Sequence, residues 1–441
     1  MVLLVWPLAA FGGSGFRAAA VFAAACVAAA VILRPRIAQG GWRQCDCALI
    51  TLLTFILLQL LPLPTAVWRL LSPSAEQVAA AIALTPAATR LFEPISLDSR
   101  ATLWAALVVT GSFATFVIAR QLFSRGSVRT IVRAICSLGM AVSALAIAQA
   151  ATAGRRIYWT FPTDHEGPLP FGPFINRNHF ATWVIMAAPL CFGYLAARSD
   201  SHATGSSARS SRDGRIASAI DGRGVWLFAC GTTMVAALLL TLSRSGIISL
   251  ALAGSLTILV TRPRGDSARH WWFGAAAAGA FIASSLVIDM SAVTARLAAA
   301  STAIEGRTRI WAETLPVVRD FWLTGAGAGT YETAMLLYQQ SDRLWYYNQA
   351  HNHYLQLAAE GGLLLGIPAA FALFAYSREA LRRIARDRSG IFWILSGVLC
   401  GLGAAALQSV WETGLTMPAN AALAAVLAAI GVHERSHEGR G

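Results

Sequence analysis

Apolar runs long enough, or nearly long enough, to cross a bilayer follow one another along almost the whole chain, separated by short segments into which arginines are gathered. A helix needs about 20 apolar residues to span the hydrocarbon, fewer where neighbours or a thinned bilayer help. About twelve segments qualify by that measure: 2–10 (the shortest), 18–33, 48–61, 102–119, 130–150, 181–197, 225–242, 246–260, 271–288, 354–376, 391–407 and 418–432. The composition agrees, for 56% of the 441 residues are hydrophobic and only 13% charged, with a mean hydropathy of +0.56. Soluble domains are roughly half apolar and a quarter charged. The chain therefore reads as an all-α polytopic membrane protein. Residues 1–10 lack the basic start and small-residue cleavage site of a secretory signal, so segment 2–10 is expected to remain in the mature protein.

Charge matters here by its placement. All 35 basic residues are arginine and the net charge is +13, a sum that alone would suit a nucleic-acid binder. Every second inter-helix segment is basic, however: Arg34, Arg36 and Arg43; Arg120, Arg125 and Arg129; Arg198, Arg209, Arg212, Arg215 and Arg223; Arg262, Arg264 and Arg269; Arg378, Arg382, Arg383, Arg386 and Arg388. Short arginine-rich loops stay in the cytoplasm, so both termini are expected inside. The outer side then receives 62–101, 151–178, the turn 242–246, the long segment 289–353 between the ninth and tenth helices, and the turn at Trp411-Glu412. Segment 199–224, rich in Ser, Gly and Arg, reads as a cytoplasmic connector. Segment 75–91 has apolar residues at helical spacing and suits a helix lying on the membrane or packed on the bundle. The seven cysteines fall in spans or cytoplasmic loops, and no disulfide is expected.

The outer segments hold the groups able to do chemistry. Arg244 sits in a turn between two apolar runs, where a guanidinium needs an anion: a ligand diphosphate or, by snorkelling, lipid phosphates. Arg307 and Arg309 are two apart and on a regular helix would share no face. One of them is expected to aim at the anion that Arg244 meets, and Arg307, after the turn-permissive Gly306, is the better placed. His351 and His353 precede a helix beginning Tyr354-Leu355-Gln356, where a histidine either takes a proton near neutral pH or simply builds the helix start. Their one-residue spacing, with no cysteine on this side, argues against a metal site, and none is expected. Trp311 reads as a packing or interfacial anchor, and Leu344-Trp345-Tyr346-Tyr347 as a sugar-stacking or interfacial cluster. The run Thr324-Gly325-Ala326-Gly327-Ala328-Gly329 lacks the preceding strand and Lys-Ser/Thr of a phosphate loop, so a tight turn is favoured. Candidates of second rank are Asn352, Glu360, Asp164, Glu166, Asn176, Arg177 and Asn178, for which helix capping or plain solvation is the alternative.

Taken in order, Asn176-Arg177-Asn178-His179-Phe180-Ala181, Thr241-Leu242-Ser243-Arg244-Ser245-Gly246, Gly306-Arg307-Thr308-Arg309-Ile310-Trp311, Leu323-Thr324-Gly325-Ala326-Gly327, and His351-Asn352-His353-Tyr354-Leu355-Gln356 with Glu360-Gly361-Gly362 resemble the O-antigen ligase and polysaccharide polymerase superfamily. The resemblance covers about 171–366. It divides the chain into N-terminal helices (1–170, with outer loop 62–101), a core (171–366, with periplasmic segment 289–353), and C-terminal helices with a cytoplasmic tail (367–441). It implies a GT-C-like helical outer segment and a multi-pass protein of the bacterial inner membrane. Its reaction would be metal-independent, inverting transfer of a glycan from undecaprenyl diphosphate to an acceptor hydroxyl at the periplasmic face, with no cofactor and no nucleic acid. On this pattern Arg244 and Arg307 bind the diphosphate, Arg309 fits more loosely, and His351 is the base.

The acceptor distinguishes two activities. A ligase transfers to a lipid core saccharide, as in lipopolysaccharide, and the long outer segment after the ninth helix resembles the ligases. A polymerase transfers to a second lipid-linked repeat, of O-antigen or exopolysaccharide. A polysaccharide transporter or flippase is the competing class, and it calls for ionisable groups along a two-sided path at mid-membrane; here the polar groups gather at one face.

Overall fold

The computed structural model describes residues 1–39, 42–82, 91–125, 128–163, 169–205, 221–261, 300–341, 344, 346–387 and 389–433. In chain order the helices are α1 (Val2–Ala9), α2 (Phe16–Leu33), α3 (Arg43–Leu58), α4 (Thr65–Leu71), α5 (Ala75–Ile82), α6 (Ser99–Arg125), α7 (Val128–Thr152), α8 (Arg177–Gly205), α9 (Gly222–Leu240), α10 (Arg244–Thr261), α11 (Ala300–Asp320), α12 (Tyr331–Tyr338), α13 (His353–Arg386), α14 (Ile391–Gln408) and α15 (Pro418–Gly431). Two small antiparallel pairings follow α3 and α7: Pro62–Pro64 with Phe92–Pro94 and Arg156–Ile157 with Phe161–Pro162.

Among the described residues, seven helices are long and apolar enough to cross a membrane: α2, α6, α7, α8, α9, α13 and α14. The expectation of about twelve is thus met in part. The apolar stretches of α10 and α15 are shorter, α3 has 16 residues and α1 only 8. The expected span 271–288 lies outside the described residues, as does most of the connector 199–224.

Helix α8 is the axle of the bundle. Its residues 179–197 are all buried, as befits a helix apolar on every side. It crosses α14 at glycines: a Cβ on Gly193 would lie 2.4 Å from the Trp393 carbonyl oxygen, and one on Gly397 2.4 Å from that of Pro189. Backbones approach this closely only where small residues line both helices, the usual device of membrane bundles. At the arginine-rich end, Arg120 forks onto the fully buried Asp46 at 2.7 and 2.9 Å, and Asp46 also accepts from the Ala38 amide at 2.8 Å.

The segments that carry α4, α5, α11 and α12 fold onto one another as a separate layer. Trp68, Ala75, Val78, Val317, Phe321, Tyr331 and Met335 form one apolar cluster that joins α4 and α5 to α11 and α12. Helix α5 is therefore packed within this layer; residues 83–90 of the expected amphipathic segment lie outside the described set. The reading of Gly306 as a turn is corrected, for it lies within α11 and the backbone runs on helically from Ala300 to Asp320.

The glycine run forms a joint. The amides of Ala326 and Gly327 donate to the carbonyls of Ala359 and Glu360, while those of Leu363 and Leu364 donate to the carbonyls of Trp322 and Leu323. This places the run against a break in α13, where Gly362 has φ +54° and ψ −154°. A Cβ on Gly325 (φ +69°) would meet the Glu360 carbonyl oxygen at 2.1 Å. Gln59, just past α3, locks the joint by donating to the Thr324 and Glu360 carbonyls and accepting from the Ala328 amide. The turn reading was correct, and its binding partner is backbone.

Candidate active site

A single carboxylate organises the site. Glu412 lies in the turn between α14 and α15 and has no exposed surface. Its Oε1 accepts from Arg307 at 2.5 Å and from the Asn178 side-chain amide at 2.8 Å. Its Oε2 faces the Nδ1 of His351 at 3.5 Å, and neither of those two atoms has another hydrogen-bond partner among the described residues. Arg307 and His351 are 25% and 31% exposed. The arrangement is therefore a buried carboxylate floor beneath two groups that a substrate can reach.

Each part is set by its own element. Arg307 projects from α11 and His351 from the start of α13. Asn178 sits in the first turn of α8, where the Asn176 Oδ1 accepts from the Asn178 backbone amide at 2.9 Å. The Glu412 turn is pressed on α8, since a Cβ on Gly414 would stand 2.1 Å from Thr182 Oγ1. Asn420 ties it further by donating to the His179 and Gly414 carbonyls.

His351 occupies left-handed backbone, φ +49°, a conformation that costs a non-glycine residue about 1–3 kcal/mol and persists only where its surroundings over-determine it. They do so here on every side. Thr413 donates to the Gln349 side chain at 2.6 Å, the Trp311 indole donates to the Ala350 carbonyl at 2.9 Å, and the His353 amide donates to the Ser409 carbonyl at 2.7 Å. Asn352 caps α13, its side chain accepting from the Leu355 amide at 3.0 Å. Trp311 is thus an anchor for the histidine segment.

Arg244 is half-buried and opens α10, after a turn with Leu242 at φ +53°. Gly246 packs against Ala181, three residues along α8 from Asn178, so the Arg244 turn lies at the same end of the bundle as the Glu412 cluster. Arg309 is exposed on another side of α11 and is not brought to Glu412. His353 turns to an apolar cavity and contributes no contact to the carboxylate. Glu360 takes the Gly329 and Tyr331 amides and the Gln356 side chain, which makes it a brace for the joint. Asn176 caps α8, and the Arg177 backbone amide donates to Leu169. Asp164, Glu166 and Trp345 lie outside the described residues. No group of three or more His, Cys, Asp or Glu with metal-holding geometry occurs among the described residues. At the end of α12, burial first and then its bond to Asp320 push the Tyr338 phenol up, so it remains a hydrogen-bond donor to that carboxylate.

Glu412 was missed as a site residue by sequence reasoning. The signal available was a lone acid between two apolar runs, which at such a place needs a cationic partner. What the cluster can do chemically follows from its groups. A guanidinium has five donors, and the contact with Glu412 engages its Nη2, leaving the rest for an anion. The imidazole turns its buried Nδ1 to Glu412 and is otherwise partly exposed. No curated protein matches the chain. The family described as O-antigen ligase has a model that matches residues 229–370, so the stretch that carries Arg244, Arg307 and His351 is similar to that family.

Proposed function

We propose that the protein is a lipid-linked glycan transferase of the bacterial inner membrane, moving a glycan from undecaprenyl diphosphate to an acceptor hydroxyl at the periplasmic face, in the manner of O-antigen ligases. The observation that supports it is the pairing of Arg307 and His351 over buried Glu412 at the mouth of an apolar bundle. In the reaction the acceptor oxygen attacks the anomeric carbon, the bond to the diphosphate breaks, and negative charge grows on the leaving group. Arg307, with Arg244, stabilises that charge through preorganised donors, without the reorganisation that water would need. His351 receives the acceptor proton, a contribution of about 10² to 10⁴-fold. Attack opposite the leaving group inverts the anomeric centre. Glu412 aims the guanidinium and faces the imidazole as it becomes positive.

The arginine distribution supports a cytoplasmic position for both termini and a site that faces outward. The test is accumulation of lipid-linked glycan in cells whose only copy is His351→Ala, with transport into vesicles measured in parallel. Accumulation with normal transport supports the transferase. Normal glycan transfer by the variant, or transport lost in its place, contradicts it.

A further inference from the structure

Between α3 and α13 runs an open groove of about 620 Å³. Its walls are Cys47, Thr51 and Phe55 on α3 and Leu364, Pro368 and Phe371 on α13, positions three or four apart that share one face of each helix. Thr51 donates to the Cys47 carbonyl at 2.8 Å, so its hydroxyl is satisfied within its own helix. Ile367, also on the wall, and Phe371 are 63% and 45% exposed, which leaves the groove open to the side.

One end of the groove is charged. Arg43 lines it, as does Gln44, whose side-chain oxygen accepts from Arg378 Nη2 at 2.8 Å. Arg378 follows Phe371 by two turns on the same face of α13. Neither guanidinium is ion-paired among the described residues. Asp46, the acid in the first turn of α3, is fully buried and engaged by Arg120. A guanidinium set against apolar surface at a membrane calls for an anion, and two border this groove.

From Arg43 to Phe55 the groove runs about 18 Å at the helical rise, against about 15 Å for one leaflet of hydrocarbon. Its far end is the break in α13: Leu363 and Leu364 line it, and their amides leave the helix to donate to the Trp322 and Leu323 carbonyls. Pro368 has no amide to donate, so α13 lacks a further helical bond along the same wall.

We propose that the groove seats one anionic phospholipid of the leaflet at the arginine-rich end, with its phosphate at Arg43 and Arg378 and an acyl chain along α3 and α13, and that this lipid braces α13 below its break. The inference does not depend on the transferase reading. A lipid with a cationic headgroup would bring its own positive charge to the two arginines, whereas anionic lipids enrich the cytoplasmic leaflet and are drawn to basic pockets between helices. A free phosphate would leave the apolar length of the groove unfilled.

The natural reporter is Cys47, which is exposed and lines the groove, while the other six cysteines are buried. Full-length protein stripped of lipid in neutral detergent is titrated with phosphatidylglycerol, and modification of Cys47 by N-ethylmaleimide is followed by mass spectrometry. Modification should slow roughly tenfold when the lipid is at about ten times its dissociation constant, and the thermal midpoint should rise in step. Phosphatidylethanolamine should protect far less, and sn-glycerol 3-phosphate not at all. Arg378→Gln and the milder Arg43→Gln should each weaken the protection, and the double variant should abolish it, at equal recovery of folded protein. No protection by phosphatidylglycerol, equal protection by phosphatidylethanolamine, protection by glycerol phosphate alone, or protection unchanged in the double variant overturns the proposal. Protection without a rise in the midpoint overturns the bracing role. Slow modification of the lipid-free protein that quickens on dilution would assign the groove to a second copy of the chain and overturn the lipid site.

Discussion

Replacing Glu412 by glutamine isolates the claim that one buried carboxylate aligns the reactive groups. The substitution keeps the volume and removes the charge. Glu412 has no exposed surface and accepts from Arg307 at 2.5 Å and Asn178 at 2.8 Å. A glutamine carbonyl can still accept, but a hydrogen bond to a charged group, worth about 1.5–3 kcal/mol, falls towards the ~1 kcal/mol of a neutral pair. Arg307 is one quarter exposed, so water offsets part of the loss. The expected cost to stability is about 1–2 kcal/mol. The effect on transfer should be larger, because the guanidinium and the imidazole lose their common support together: a fall of roughly 10²-fold or more. Glu412→Asp keeps the charge and shortens the reach, so it should retain more activity than the glutamine variant. The assay is the initial rate of glycan transfer from lipid-linked donor by detergent-purified protein, normalised to the folded fraction from size exclusion. A glutamine variant within about threefold of the native rate, under 1 kcal/mol in barrier, would refute the role given to Glu412.

Arg307→Ala should cut the transfer rate roughly 10²-fold, whereas Arg309→Ala, on an exposed side of α11, should stay within several-fold; equal losses in a side-by-side rate assay would remove the distinction between them. Gly325→Ala forces a Cβ to within 2.1 Å of a backbone oxygen at φ +69°. Strain and overpacking of about 1–3 kcal/mol each should lower its thermal midpoint sharply, and a native melting curve would show that the joint is looser than described. Thr308→Cys, in a background without the native cysteines, should react with a membrane-impermeant maleimide from the periplasmic side only, and labelling from the cytoplasm would overturn the orientation.

Much of the membrane architecture was legible because an apolar run has few alternatives to a span. The sequence did not reveal which spans are enclosed by others: α8 is buried on every side, while α13, of nearly the same hydropathy, is buried over only 28% of its span. The site was legible in its arginine and histidine, whose chemistry is local. Glu412 was not, because its partner Arg307 is 105 residues away and only the packing of α11 over the Glu412 turn brings them together. The glycine run likewise announced a turn, but the break in α13 that it pairs with falls at Gly362, the second of a glycine pair inside a long apolar run that otherwise reads as one helix. Gly306 misled for the converse reason: a glycine permits a turn without requiring one, and the bonds of Arg307 to Glu412 and of Trp311 to the Ala350 carbonyl hold α11 in place just beyond it.

The most direct test of the account is transfer in vitro from an undecaprenyl diphosphate glycan, offered a lipid core acceptor or only a second copy of itself, with His351→Ala as the control. The account predicts product that depends on His351: a single-step product on the core for a ligase, or a ladder formed without the core for a polymerase. Product formed equally well by His351→Ala, or no product with either acceptor, would contradict it.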